Sequence, residues 1–462
     1  MNLPDDFCSL MREQMGESEA SNLFSALEET PPVSVRLNPR KPSDAFSCNE
    51  EKVAFCDTGR YLAQRPQFTL DPLLHAGCYY VQEASSMSVE QAFRALPETP
   101  RRVLDLCAAP GGKSTLWASL LPAGSLLVCN EPVRSRANIL YENLAKWGSP
   151  DVVVTNAYPA DFAVLEDFFD VVAADVPCSG EGMFRKDEGA RAEWSMSNVK
   201  MCAKRQMEII RDVWPALRPG GFLIYSTCTF NKFEDEENVE RICSELGAKP
   251  LPLPPVAGAV GYGNDGIGGL HFYPHRVKGE GFFIALLQKN ATDGSVCSAV
   301  SKEKERKGKG KRREEVLPVA SEELSKWLRK PDDFNLFSFA AEQVSAVRSS
   351  LYPDVMRMQG FPLWKRIMGI GVGVAVKKGN KWQPRPELAL SSELSATAFT
   401  RCELSREEAI AFLRHEAIVL PQDMERGYIV VCYDGHPLGF VNNLGTRANN
   451  LYPAEWRIRK QL

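Results

Sequence analysis

Val103–Ser114, VLDLCAAPGGKS, joins a short apolar run ending at Asp105 to an amphipathic run through a small-residue turn with two adjacent glycines, Gly111 and Gly112. That pattern is strand, tight turn, helix. Glycine removes the Cβ that would hold a ligand off the backbone, and the N–H groups opening the next helix face whatever lies beyond the strand end. The turn is therefore a candidate cofactor cradle. It is not the G-x-G-x-x-G of dinucleotide sites, and no G-x-x-x-x-G-K-[ST] occurs, so neither nucleotide reading has its usual warrant. Taken alone, a Gly-Gly turn after a strand is more often a plain connection. Its neighbours reverse that reading.

From Arg102 to about Lys289 strand and helix patterns alternate, the signature of βαβ units and a parallel sheet. Strands are expected at Val103–Cys107, Ser125–Glu131, Val152–Asn156, Val171–Val176 and Phe222–Cys228, with a late antiparallel edge strand at Phe282–Gln288. The first five end in polar or reactive residues, and in an open α/β sheet ligands bind outside the carboxyl ends of the strands. Glu131 lies about one βαβ unit beyond the glycine turn, where an acidic side chain accepts hydrogen bonds from ribose hydroxyls. A nucleoside cofactor without a phosphate motif suits S-adenosylmethionine better than a dinucleotide.

Two cysteines follow neighbouring strands, Cys178 in Asp175-Val-Pro-Cys-Ser-Gly180 and Cys228 in Ser226-Thr-Cys-Thr229. A thiolate is a soft nucleophile that adds to carbon. Cytosine C5 is a poor nucleophile until something adds at C6; thiolate addition makes C5 enamine-like and able to take a methyl group from a sulfonium. That chemistry needs a thiolate, an acid near N3 and a base. Asp175 is placed to meet the N3/N4 edge, and Lys113 to lower a thiol pKa or stabilise charge. Either cysteine alone reads as a buried structural thiol. Two together, flanked by Asp, Pro and Gly on this sheet, do not.

DLCAAPGGKS, CNEP, DVPCSGEGMFRKD and YSTCT resemble successive motifs of the Nop2/Sun family of RNA cytosine-C5 methyltransferases, and SGEGMFRKDEGARAEWS, RPGGFLIYSTCTFN and HFYPHRVKGEGFFIALL resemble its bacterial members acting on 16S ribosomal RNA. The resemblance covers the whole catalytic region and, more weakly, both ends. It implies Cys228 as nucleophile and Cys178 as the thiol assisting product release. It further implies S-adenosylmethionine contacts from Cys107, Ala108, Ala109, Pro110, Gly111, Gly112, Lys113, Glu131, Asn156 and Asp175, with Arg136 helping. Two departures stand out: Asn156 occupies a position commonly Asp, and DVPCSG replaces the common DAPCSG. Because DNA cytosine-C5 methyltransferases use the cysteine of a Pro-Cys pair, Cys178 is the chemical rival to Cys228.

The implied fold is α/β. A Rossmann-like S-adenosylmethionine-dependent methyltransferase domain spans 99–290, after an N-terminal α+β extension at 1–98. A basic linker at 291–316, a small α+β domain at 317–400 and a PUA-like β-rich RNA-binding region at 401–462 follow. The linker run SKEKERKGKGKRR is apolar-free and suited to phosphate. Arg36, Arg40, Arg447, Arg457, Arg459 and Lys460 are further candidate phosphate contacts. Arg185, Lys186, Asp187 and Trp194 give the loop after Cys178 the basic and aromatic content that grips RNA and stacks a base. Asn231 with Glu234 resembles a capping box opening a helix. Asp434-Gly435 is a hairpin turn.

The 13 cysteines show no C-x-x-C pair, which argues against a disulfide framework or a zinc ribbon. His271, His275, His415 and His436 show no ligand spacing, so no metal is expected. No long apolar segment and no signal-peptide pattern occur, which points to the cytoplasm. The net charge of −4 does not oppose a nucleic-acid partner, because local Lys and Arg distribution decides that. The expected substrate is a cytidine of 16S ribosomal RNA in the small subunit, acted on by a monomer. The alternatives are transfer RNA, or a ribosome-assembly RNA-binding protein in which methylation is secondary.

Overall fold

The computed structural model describes residues 2–46, 50–263, 268–291, 317–340 and 342–460. The basic linker lies almost wholly outside the described residues. The central sheet contains β1 (Arg102–Asp105), β2 (Leu126–Asn130), β3 (Val152–Thr155), β4 (Phe169–Asp175) and β5 (Leu217–Thr227), all parallel. Helices α1 (Gly112–Leu120), α2 (Arg134–Trp147), α3 (Met196–Val213) and α4 (Glu236–Leu246) connect or follow them. Strand pairing continues through β6 (Ala248–Leu251), β7 (Val260–Tyr262), β8 (Gly269–Phe272) and β9 (Phe282–Lys289) to β10 (Ile367–Ile370), in the order β7-β8-β9-β5-β4-β1-β2-β3-β10, with β6 on β9.

The strands are apolar throughout because both faces are covered. Leu104, Val128, Val153, Val172 and Leu223 enter one core. Val103, Leu127, Val154, Val171 and Ile224 enter the other. Chain order reverses at β1, so the carboxyl ends of β1 and β4 flank the topological switch point, where such sheets bind ligands.

Several expectations need correction. β9 is antiparallel to β5 as expected, but it is not the edge, because β8 and β7 extend the sheet beyond it. The opposite edge is closed by β10, which comes from far along the chain and pairs antiparallel with β3. Asn231 and Glu234 do bond reciprocally, yet α4 begins only at Glu236, so the box closes a turn rather than a helix start.

At the N-terminus, helices Asp5–Met15 and Glu17–Leu27 precede an antiparallel sheet of Gly59–Leu62, Val33–Leu37 and Tyr79–Val81. Phe7, Leu23 and Leu27 pack on Phe184, Trp194, Phe230 and Tyr273, covering the loops after β4 and β5. Downstream, a five-stranded sheet is followed by a four-stranded one, Thr400–Glu403, Gly427–Tyr433, His436–Asn443 and Ala448–Asn450. Its hairpin turns at Asp434 and Gly435, both with positive φ, as the turn chemistry requires. Among the described residues no helix is long and apolar enough to cross a membrane.

Candidate active site

A crevice of about 380 Å³ opens at the carboxyl ends of β1, β4 and β5, lined among others by Cys107, Lys113, Asp175 and Cys228. Its floor is the glycine turn. Gly111 sits at φ +116°, a conformation only glycine adopts without strain, and it caps α1 so that the turn doubles back under the crevice. Ala108, Ala109, Pro110 and Gly112 line that floor, whereas a Cβ on Gly111 would point at Asn143 and Leu140 of α2. Asp105, at the end of β1, is buried and accepts the Ser114 hydroxyl at 2.6 Å. Burial pushes its carboxyl up to about 7 against that bond and the Lys113 charge.

Lys113 Nζ lies 2.8 Å from Asp175 Oδ2, and Ser226 Oγ donates to Asp175 Oδ1 at 2.9 Å. The aspartate is thereby aimed from both sides. Burial works against the lysine charge, but Asp175, by charge and by hydrogen bond, outweighs it and holds the ammonium up. The Lys113 ammonium also stands 5.1 Å over the Phe282 ring.

The two cysteines, fifty residues apart in the chain, meet with their sulfurs 3.2 Å apart. Cys228 lines the crevice and Cys178 stands behind it. The contact with Cys228, then burial, then neighbouring charge push the Cys178 thiol well up. Gly182 donates its N–H to the Cys228 carbonyl at 2.8 Å, and a Cβ on Gly182 would press that oxygen at 3.0 Å.

Glu131 and Asn156 end β2 and β3 but do not line the crevice. Glu131 accepts the Val133 N–H at 2.9 Å and lies 3.3 Å from Arg136, while Asn156 donates to the carbonyls of Glu131 and Pro132. Arg136 in turn donates to the Ala109 carbonyl, tying this corner to the glycine turn.

Other expected RNA contacts are internal. Arg36 is fully buried beneath α1, donating to Gln82 and to the Gly112 carbonyl and stacking on Trp147 at 4.6 Å. Arg40 is half-buried on Ser149 and the Leu121 carbonyl. Arg185 pairs with buried Glu280 at 2.9 Å, and Trp194 is buried with its indole N–H on Glu181. Arg185 and Trp194 brace the loop rather than face a base. Asp187 caps the short helix Glu188–Glu193. Lys186 does reach the crevice, and Arg447, Arg457, Arg459 and Lys460 are exposed.

Sequence reasoning missed Tyr80, Gln82, Met183 and Phe282 as crevice walls. One signal was legible, the Gly279-Glu-Gly281-Phe run: a Cβ on Gly281 would strike the Phe230 ring, so the chain must pass close there. Among the described residues, Asp235, Glu236 and His271 bring potential metal-binding atoms within 4.8 Å of one another, with His271 Nε2 already 2.8 Å from Glu236.

Comparison with known proteins places this geometry. Residues 94–288 match the family described as 16S rRNA methyltransferase RsmB/F, residues 3–84 the N-terminal domain of 16S rRNA methyltransferase RsmF, and residues 399–458 the RsmF PUA domain. The chain is 31% identical to ribosomal RNA small subunit methyltransferase F of Erwinia tasmaniensis, over 98% of this chain and 96% of that protein. It is 30% identical to the protein of the same name from an Enterobacter species, over 98% and 95%. A solved methyltransferase homologue from Pyrococcus horikoshii is 26% identical with a TM-score of 0.53, over 61% of this chain and 94% of that one. NSun6 from Pyrococcus horikoshii, solved with SFG, shares the fold at 19% identity and a TM-score of 0.53, over 63% of this chain and 99% of that one. S-adenosylmethionine is the cofactor of these methyltransferases. The crevice fits it: a floor without a side chain at Gly112, apolar walls at Tyr80 and Phe282, and polar groups at Lys113 and Asp175. The full-length match and its three domains establish that this chain belongs to the ribosomal RNA small subunit methyltransferase F family.

Proposed function

We propose that this chain methylates C5 of a cytidine in 16S ribosomal RNA of the small subunit, through a covalent bond from Cys228 to C6, with Cys178 assisting release. The observation that carries the reading is the Cys178–Cys228 contact at 3.2 Å beside the Lys113–Asp175 pair, with Cys228 facing the crevice. Bound S-adenosylmethionine supplies an electrophilic methyl group. Its site is formed by Cys107 to Lys113 on the floor and by Asp175, with Glu131, Asn156 and Arg136 at the far corner.

The residues act on the base. Cys228 adds to C6, and the electron pair released from the C5–C6 double bond makes C5 nucleophilic. Asp175, held by Ser226 and Lys113, meets the N3/N4 edge by accepting from the N4 amino group, and the Lys113 ammonium beside it steadies the negative charge that develops on the ring. After methylation the C5 proton is lost to water, its electron pair restores the double bond, and Cys228 departs as thiolate. Cys178 donates its S–H to that departing sulfur. The cytidine must leave its stack to reach this depth. The exposed basic residues of the PUA domain give the phosphate affinity, and the enzyme acts as a cytoplasmic monomer.

The test uses wild type, Cys228→Ala and Cys178→Ala with unmethylated small subunits, naked ribosomal RNA or transfer RNA, and labelled S-adenosylmethionine. Cys228→Ala is expected to abolish both label transfer and denaturant-resistant protein–RNA adducts. Cys178→Ala is expected to accumulate adducts. Adducts that need only Cys178 would swap the roles, and no label at C5 on any RNA would end the reading.

A further inference from the structure

Behind Cys178 lies a layer of buried polar side chains that the chemistry above does not use. Glu181 and Glu234 are both fully buried. Glu234 accepts the Ser179 backbone N–H, 3.0 Å from its nearer oxygen, and Gln206 Nε2 at 2.7 Å. Glu181 accepts the Phe230 backbone N–H at 2.6 Å and the Trp194 indole at 2.9 Å. Asn231 Nδ2 bridges the two carboxylates, at 2.8 Å from Glu181 and 2.9 Å from Glu234.

Ser179 follows Cys178, and Phe230 and Asn231 lie just beyond Cys228, so this pair of acids ties the two cysteine loops together. All these donors are neutral. Burial therefore raises both carboxyls, Glu181 to about 7 with Glu234 adding to it, and the pair takes up negative charge as pH rises through that range. Glu234, on the Ser179 N–H, then acts on Cys178, while the Lys113 ammonium acts on Cys228 from the crevice side. A proton shared between two sulfurs settles on the one in the more negative surroundings.

We propose that Glu181 and Glu234 are positioning residues that hold the shared proton of the pair on Cys178 and leave Cys228, the sulfur facing the crevice, as its acceptor. The inference rests on Cys228 being the nucleophile and adds how the two thiols are told apart. Other titratable groups around the pair are Asp175 and Lys113 on the crevice side, Tyr225, whose hydroxyl donates to the Glu234 carbonyl, and Asp235, which accepts the Thr227 hydroxyl beside Cys228. Burial first and Glu236 second push the Asp235 carboxyl up, so it adds little charge.

The experiment uses the full-length protein without RNA or cofactor. Alkylation of each cysteine by iodoacetamide is followed by peptide mass spectrometry across about pH 6 to 10, where thiolates form. The midpoint of each profile is read rather than the rate, because the midpoint does not depend on access. In wild type the Cys178 midpoint is expected above that of Cys228. Glu234→Gln, which keeps the shape and removes the charge, should lower the Cys178 midpoint by about one pH unit; Glu181→Gln should move it the same way. Coincident wild-type midpoints, or a Cys178 midpoint unmoved in either folded variant, overturn the proposal. If neither variant folds, the wild-type midpoints alone decide. Shifted midpoints without any Cys228–RNA adduct would leave the proton assignment standing and remove the reaction proposed above.

Discussion

At the residue scale, the site is governed by which side chains lose water. Asp105 is the plainest case: its folded carboxyl titrates near 7, mainly through burial, against about 3.9 for an unfolded aspartate. A raised folded value means that the native state binds the proton more tightly, so this contribution to stability is full below about pH 4 and is lost as pH rises toward 7. Asp105→Asn can still accept the Ser114 hydroxyl and carries no charge. It is expected to gain on wild type by a few kcal/mol at most between about pH 4 and 8, measured as a Tm difference that widens with pH. Parallel Tm curves would contradict burial as the cause. The residues proposed to carry the chemistry were legible in the sequence because Asp175, Cys178 and Cys228 stand at or just past strand ends and Lys113 follows the glycine pair. Trp194 and Arg185 were not, since one dimension cannot distinguish an RNA-gripping loop from a loop clamped under the two N-terminal helices, Trp194 against Phe7 of the first and Arg185 on the Ala26 carbonyl of the second.

At the scale of elements, strand Val33–Leu37 has a role that its basic residue disguises. Alternation sends Arg36 inward, beneath the first turn of α1, where it braces the Gly112 carbonyl and Gln82. Burial lowers its pKa to about 10, well above neutral pH, so the charge is kept. Arg36→Met leaves the Gln82 acceptor without its donor, a loss on the order of 1–3 kcal/mol, and frees the glycine turn. The expected result is a Tm several degrees lower together with weaker S-adenosylmethionine binding by calorimetry. An unchanged cofactor affinity in a folded variant would show that the brace does not reach the cradle. Parallel strands β1 to β5 were readable because fully buried strands are continuous apolar runs. β10 was not, because Ile367–Ile370 pairs with Val152–Thr155 across more than two hundred residues.

At the scale of the whole molecule, the two ends of the chain share a core. Phe412, Leu413 and Ile429 of the PUA domain pack with Val35, Phe68, Leu73 and Tyr79 of the N-terminal region. The C-terminal basic residues are thus carried on a surface fixed to the catalytic unit rather than on a tether. Replacing Arg447, Arg457, Arg459 and Lys460 together by Ala should weaken RNA binding and flatten its logarithmic salt dependence by about three, at roughly 0.7–0.9 per phosphate contact. Labelled RNA binding across a salt series checks this, and an unchanged slope would take these side chains off the phosphates.

Spacing within single βαβ units determined the parallel sheet, the cofactor turn and the reactive strand ends, because periodicity and turn chemistry act over a few tens of residues. Only the tertiary structure decided that Cys178 and Cys228 touch, that Cys228 is the one facing the crevice, and that buried Glu181 and Glu234 stand behind the other. Those facts depend on which chain segments exclude water from one another, and burial is what separates an arginine that meets phosphate from one that props a glycine turn.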